Sequence, residues 1–409
     1  MQLYRERVAG LDVHKKVIVA CARVVLAGEL FVASARFKAT PAGLRALAEW
    51  LHENQVTSVL MESTGVYWRP VFYALEDDFD QVEVANAHHV KNVPGRKRDS
   101  TDAQWLAEVA AHGMVRPSFV PPPRIRELRE LTRYRKNQIE ERTREKLRFE
   151  RLLQDAGVKL TSVGTKTFSK TNQAIVRAMV NGERDPDTLA GLACGTLRNK
   201  IPELREVLPA RFGDTHAVIF REILHHIDQL DRSIGHLDEI IAIRMAGFGE
   251  DIELLCTIPG VALRTAQVFI AETGGDMSVF PTAGHLAAWA GVAPASHESA
   301  GRSRPAGSRH GNQQLKTTMM EAAQSAARTK TYFGAKFHAV NKRRGAKRAV
   351  GAVANKLVVT MWHVLTDRHE FIDLGADWFK RQRDPEADKA RLVAQLERAG
   401  YKVTLEPAA

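Results

Sequence analysis

The sequence predicts an α/β domain on a mixed sheet, then a helical middle and a mostly helical C-terminal region. Three observations lead there. Over the first 120 residues, β-branched runs alternate with helix-spaced apolar stretches. At 117–123 four prolines fall within seven residues and mark a boundary. Beyond it the apolar periodicity becomes that of long helices.

Taken in order, 8–13 and 17–25 read as β-branched strands and 29–37 alternates polar and apolar residues. The segments 56–61 and 81–84 are short buried-type runs, with helical patterns at 41–54 and 66–77. A meander followed by βαβ units gives a mixed sheet. From Arg124 to Gly157 runs a charged helix, in which 11 Lys or Arg stand against 6 Asp or Glu over 124–151. That surplus fits either a solvated face or a phosphate-binding rod. Ile223, Ile227, Leu230, Ile234, Leu237 and Ile241 follow at spacings of 4, 3, 4, 3 and 4, a heptad seam suited to a coiled coil within the chain or between protomers. Residues 158–209 are helix-prone without a motif. In 254–273, Pro259 and Gly260 separate two helical patterns, as in a helix-hairpin-helix turn whose amides can hold a phosphate. Residues 294–312 form a Ser-, Gly- and Arg-rich loop before an Ala-rich helix, and Lys342, Arg343, Arg344, Lys347 and Arg348 lie within seven residues.

With 409 residues the chain has room for two or three domains. Its 59 Lys and Arg exceed its 48 Asp and Glu by 11, a balance that suits a polyanionic partner, nucleic acid first, or simply a soluble basic surface. Cys21, Cys194 and Cys256 are far apart, which speaks against a disulfide scaffold or thiolate zinc site and for a reducing interior. No apolar leader opens the chain and no run of 18 apolar residues occurs, so neither secretion by that route nor a membrane span is expected.

Four acids carry the chemistry. Asp12 lies within a β-branched strand, where an unpaired charge is costly. Glu62 ends the run Val59-Leu60-Met61, at the strand end where α/β sheets expose their sites. Asp99 and Asp102 stand as Asp-x-x-Asp at the start of a helix, which places both on one face of its first turn, or serves as ordinary capping. Strand acid, strand-end acid and helix-borne pair is the order by which an RNase H-like sheet holds two divalent ions for phosphoryl transfer. His14 and Lys15 are candidates for a proton relay or a phosphate contact. In 295–304, Ser296, Ser299 and Ser303 sit among Arg302, Arg304 and, further on, Arg309. Such a setting suits either an activated serine with cations for a phosphorane or a basic loop touching phosphates. No GxSxG elbow points to a hydrolase triad.

The phrases GLDVHKK (10–16), MESTGVYW (61–68), RDSTDAQWLA (98–107), IPGVALRTA (258–266), FPTAGHLAAWAGVAP (280–294) and SAGRSRPAGSRHGNQQLK (299–316) come in an order that resembles one family. It is that of insertion-sequence transposases joining an N-terminal DEDD-type RuvC-like domain to a C-terminal serine transposase domain, whose best-understood members are bridge-RNA-guided recombinases. The resemblance implies a RuvC-like domain at 1–120, a helical coiled-coil segment at 121–247, a serine transposase domain at 248–350 and a helical tail at 351–409. It implies Asp12, Glu62, Asp99 and Asp102 as ligands of two Mg²⁺ and Ser299 as a nucleophile that forms a phosphoserine link to DNA. Where the family has Ser-Gly-Gly this chain has Ser299-Ala300-Gly301, a less free backbone that keeps Ser296 as a lesser candidate. The other implied features are donor and target DNA, a guide RNA, a dimer or tetramer in which acids and serine meet between protomers, and a place at the prokaryotic nucleoid. Arg302, Arg304, Arg309, Lys342, Arg343 and Arg344 are the expected nucleic-acid contacts. The rival readings are a RuvC-like junction endonuclease acting by hydrolysis and a non-catalytic nucleic-acid-binding protein on the coiled coil.

Overall fold

The β-branched runs of the first 120 residues form five strands in a computed structural model. It describes residues 3–405 apart from 64, 96–100, 165, 209–210, 296, 300–301, 305–306, 309 and 379–384, and for 297–299, 302–304, 385–388 and 391 the backbone alone. The chain divides into two units, Met1–Val120 and Pro121–Ala409. In the first, β1 (Arg7–Val13), β2 (Val17–Leu26) and β3 (Glu29–Lys38) make an antiparallel meander. Helix α1 (Pro41–Glu53) leads to β4 (Ser58–Glu62), parallel to β1, and α2 (Trp68–Leu75) leads to β5 (Gln81–Ala85), parallel to β4. The strand order is β3-β2-β1-β4-β5, the mixed sheet that the sequence predicts. A short α3 (Ala87–Lys91) follows, and α4 (Asp102–Ala111) closes the unit.

Period-two alternation sorts the two faces. Ala9, Leu11, Val13, Val59 and Met61 pack with Leu47 and Leu51 of α1 and Val71 and Leu75 of α2. Val8 and Leu60 face the other way, onto Trp105, Leu106 and Val109 of α4. Helix α4 comes so close to β1 that only Gly10 fits beneath it. A Cβ there would lie 2.2 Å from the Ala103 carbonyl oxygen and 2.3 Å from the Ala107 amide nitrogen.

The second unit is helical. Its axis is α5 (Pro123–Asp155) packed along α10 (Asp214–Arg244). The ion pairs Glu127–Arg244, Arg135–Asp238 and Arg142–Asp231 and the Glu145–His226 contact descend α10 as they ascend α5, so the two helices run antiparallel. The six heptad residues of α10 are all buried in this one chain. The seam is therefore closed internally, and it is not the dimer contact that a coiled coil between protomers requires. The surplus cations of α5 are also spent inside the chain: Arg135 and Arg142 bind acids of α10, and Arg129 and Arg133 bind Glu272. That answers the phosphate-binding rod at those four positions.

The motif-poor stretch between the two long helices folds into α6 (Leu160–Val163), α7 (Lys170–Val180), α8 (Pro186–Gly191), a 3-10 turn (Gly195–Lys200) and α9 (Ile201–Val207). These enclose Phe149, Phe220, Ile175, Met179 and Leu204 in a core at one end of the hairpin. At the other end Ile125, Leu128, Ile241 and Met245 form a second small core.

Beyond it come α11 (Gly249–Cys256) and α12 (Leu263–Thr273), the two helices expected around Pro259-Gly260. Gly260 has φ +89°, and a Cβ there would meet Ala326 Cβ at 2.6 Å and the Ala322 carbonyl oxygen at 2.8 Å. The turn is thus pressed against α14 (Gln313–Ala326). Helix α13 (Ala283–Trp289) precedes it, and α15 (Tyr332–Arg344), α16 (Ala346–Asp367) and α17 (Pro385–Arg398) follow. By length and composition α16 is apolar enough to span a bilayer. It instead buries Ala349, Val353, Leu357, Val358 and Met361 among its neighbours in the unit, as a core helix does. The expected domain limit at 350 falls inside this helix.

Two stability predictions follow from the packing. Gly10→Ala forces α4 off the sheet and costs about 1–3 kcal/mol, read as a lowered melting temperature. Ile227→Ala leaves a cavity in the internal seam and costs about 2–5 kcal/mol, read by chemical denaturation, with no change in the protein's oligomeric mass.

Candidate active site

Asp12 and Glu62 are brought together by strand register. Gly10 pairs with Leu60 and Leu11 with Met61 in the parallel β1/β4 ladder, so one further step sets Asp12 beside Glu62. In-register residues of neighbouring strands point to the same face, here the one that α4 covers. Both acids are half-buried. The direction of α4 follows from its contacts. The Tyr4 and Arg5 amides donate to the Ala111 carbonyl at its end, at 2.8 and 3.0 Å, and Gly10 lies against Ala103 and Ala107. Helix α4 therefore runs antiparallel to β1, and its N-terminus arrives at the strand end that carries Asp12.

That N-terminus is fixed by a capping box. The Gln104 amide donates to the Thr101 hydroxyl at 3.3 Å and the Thr101 amide to the Gln104 side-chain oxygen at 2.9 Å. The first turn thus carries Asp102, exposed, at its first position. Asp99, expected on the same face, lies outside the described residues. His14 Nε2 lies 3.0 Å from Asp12 Oδ2, whose side chain keeps 25% of its exposure. Lys15 is exposed on the same β1–β2 turn. Among the described residues no three carboxylate, imidazole or thiolate side chains close around one point. The donor chemistry at this edge, carboxylate oxygen from two strand ends and a helix start, is that of a hard divalent cation such as Mg²⁺.

The serine-bearing segment is not the loop that its composition suggests. β6 (His297–Ser299) pairs antiparallel with β7 (Arg302–Arg304), with Ser299 opposite Arg302 and His297 opposite Arg304. Ser299 is the last residue of β6. Ser296 and Arg309 lie outside the described residues. At the root, Pro294 bridges to Ser308, the Ala295 amide donates to the Gly307 carbonyl at 2.9 Å, and the Asn312 amide donates to the Trp289 carbonyl at 2.8 Å. Lys342, Arg343 and Arg344 end α15, and Lys347 and Arg348 begin α16. All five are exposed, and none forms an ion pair among the described residues.

One polar cluster near the hairpin root escaped the sequence reading. Glu272, on α12, is fully buried and receives Arg133 in a two-pronged contact at 2.8 Å to each oxygen. Arg129 Nε lies 3.2 Å from the same carboxylate and Asn312 Nδ2 donates to it at 2.6 Å. Burial alone pushes the Arg133 guanidinium down, but its bonds to Glu272 outweigh this and hold it above the usual arginine value. A single acid in the run Val268-Phe269-Ile270-Ala271-Glu272 was the available signal, on the same reasoning that singles out Asp12.

Comparison with known proteins assigns both regions. A family model described as a transposase, of the DEDD type of IS110, matches residues 9–157, and that of the transposase IS116/IS110/IS902 family matches 252–339. The transposase for insertion sequence element IS1111A of Coxiella burnetii is 27% identical over 385 residues, which cover 90% of this chain and 92% of that protein. An uncharacterized 43.6 kDa protein of insertion element IS110 from Streptomyces coelicolor is 45% identical over 74 residues, 17% of each chain. An uncharacterized 42 kDa protein of insertion element IS900 from Mycobacterium paratuberculosis is 29% identical over 161 residues, 37% of this chain and 38% of that one. With one transposase model over the sheet and its acids and another over the serine hairpin, the chain carries the transposase domains of the IS110/IS116/IS902 insertion-sequence family.

Proposed function

We propose that this transposase cuts and rejoins DNA through a covalent bond to Ser299, with Asp12, Glu62, Asp99 and Asp102 as its Mg²⁺-binding acids. The observation that carries the reading is the convergence of Asp12, Glu62 and the start of α4 at one sheet edge, in a chain whose second family region holds a serine at a hairpin end. The DEDD character of the first region supports dependence on a divalent metal. Mg²⁺ bound by the acids would lower the pKa of an attacking hydroxyl and take up charge on the leaving oxygen.

In the step itself, Ser299 Oγ bonds to phosphorus while the bond from phosphorus to a deoxyribose oxygen breaks, and the serine proton ends on the released hydroxyl. Rejoining is the reverse attack by the hydroxyl of the new strand. Arg302, opposite Ser299, with Arg304 and Arg309, supplies positive charge to the crowded phosphorus. His14 restrains one Asp12 oxygen. The exposed corner of Lys342, Arg343 and Arg344, with Lys347 and Arg348, holds duplex backbone by charge. Site choice by a structured RNA, and work as a dimer or tetramer, rest on the family resemblance. Because the heptad seam is closed within the chain, assembly uses another surface.

Incubation of the full chain with Mg²⁺, supercoiled donor DNA and RNA transcribed from the element's flanks tests this on a denaturing gel. Wild type is expected to give DNA-linked protein that needs the RNA. Ser299→Ala drops the adduct below detection, and Asp12→Asn slows it by at least about 100-fold. Free nicked DNA, unchanged by Ser299→Ala and lost with Asp12→Asn, would hand the reaction to hydrolysis. An adduct that survives Ser299→Ala moves the nucleophile to Ser296.

A further inference from the structure

Glu272 sits where three parts of the second unit meet. It is the penultimate residue of α12, its two arginines come from α5, and its third partner, Asn312, begins α14. Arg129 also donates to the carbonyls of Ala271 and Glu272, at the end of α12 where carbonyls lack helical partners. A buried carboxylate with such partners holds them firmly, because each is its replacement for water.

Asn312 is doubly used. Its side-chain oxygen accepts from the Leu315 amide at 3.0 Å and caps α14, while its side-chain nitrogen is committed to Glu272. Its own amide closes the root of the serine hairpin on the Trp289 carbonyl. Contacts therefore run from the long helix α5 through Glu272 and Asn312 to Trp289, and the same two chain segments meet again at Pro294–Ser308 and Ala295–Gly307, shortly before β6. Capping alone needs only the oxygen of Asn312, and a serine would supply it. The bond to Glu272 is the part that capping leaves unexplained.

We infer that Glu272 is a positioning residue for the serine step: through Asn312 it locks the root of the Ser299 hairpin to α5, so that the nucleophile is held in place by the long helix. The inference rests on the reading of Ser299 as nucleophile, and the test separates the two.

Asn312→Ser removes the 2.6 Å contact to Glu272 while leaving its arginines in place and keeping a capping oxygen, and Asn312→Asp keeps the cap but sets a second carboxylate against Glu272. Single-turnover adduct formation with the full chain, donor DNA, Mg²⁺ and RNA is expected to slow about tenfold in both variants, with the DNA concentration for half-saturation unchanged. Wild-type rates in Asn312→Ser would overturn the inference. Amide hydrogen exchange over 289–312 is the second measurement and needs no chemistry. Protection is expected to fall in both variants, and unchanged protection would also overturn the proposal. If wild type forms no adduct that depends on Ser299, the proposed function fails, while the exchange result still decides whether Glu272 anchors the hairpin.

Discussion

A carboxylate removed from water must be met by cations or hydrogen-bond donors, and two centres of this protein are organised by that requirement. Asp12 is half-buried on a sheet face, next to Glu62 and the start of α4, and His14 meets one of its oxygens. At Glu272 burial is complete and the answer is supplied in full by the chain: two guanidinium groups and an amide. The first centre is partly covered, and the second is enclosed and met on every side by the chain.

The sheet edge owes its geometry to the close approach of α4 to β1. Because nothing larger than Gly10 fits between them, the helix lies flat along the strand, and its capped end reaches the same edge as Asp12 and Glu62. The capping box then fixes where the helix starts, and with it the height of Asp102 above the sheet. The DEDD transposase model covers this region, and a second transposase model covers the serine hairpin.

Much of the sheet was legible in the sequence, because its strands are β-branched runs with clear period-two faces and its crossovers are helix-spaced. The acids were legible in kind, since a charge in an apolar strand demands a partner. Their adjacency depended on the β1/β4 register, which no single strand encodes. The heptad of α10 announced a packed seam and left its partner open. The partner becomes readable only when Arg135 and Arg142 are set against Asp238 and Asp231 in antiparallel order. Strands of three residues are too short to show periodicity, so the serine hairpin looked like a loop. Glu272 carried the same signal as Asp12 and was passed over. Asn312 carried none, because its role arises from contacts across 40 residues of chain.

The closed hairpin of α5 and α10 has a consequence for reach. A helix of 33 residues is about 50 Å long, so the core around Phe149 and Phe220 stands far along the axis from the one around Ile125 and Ile241. The two cores share no residue, and the seam between them repeats every seven positions. Removing or adding one heptad in both arms would keep every seam residue in phase and shift the distal core by about 10 Å. The hairpin is in this sense a graduated rod, whose span can change in steps between related proteins while the packing at either end stays as it is.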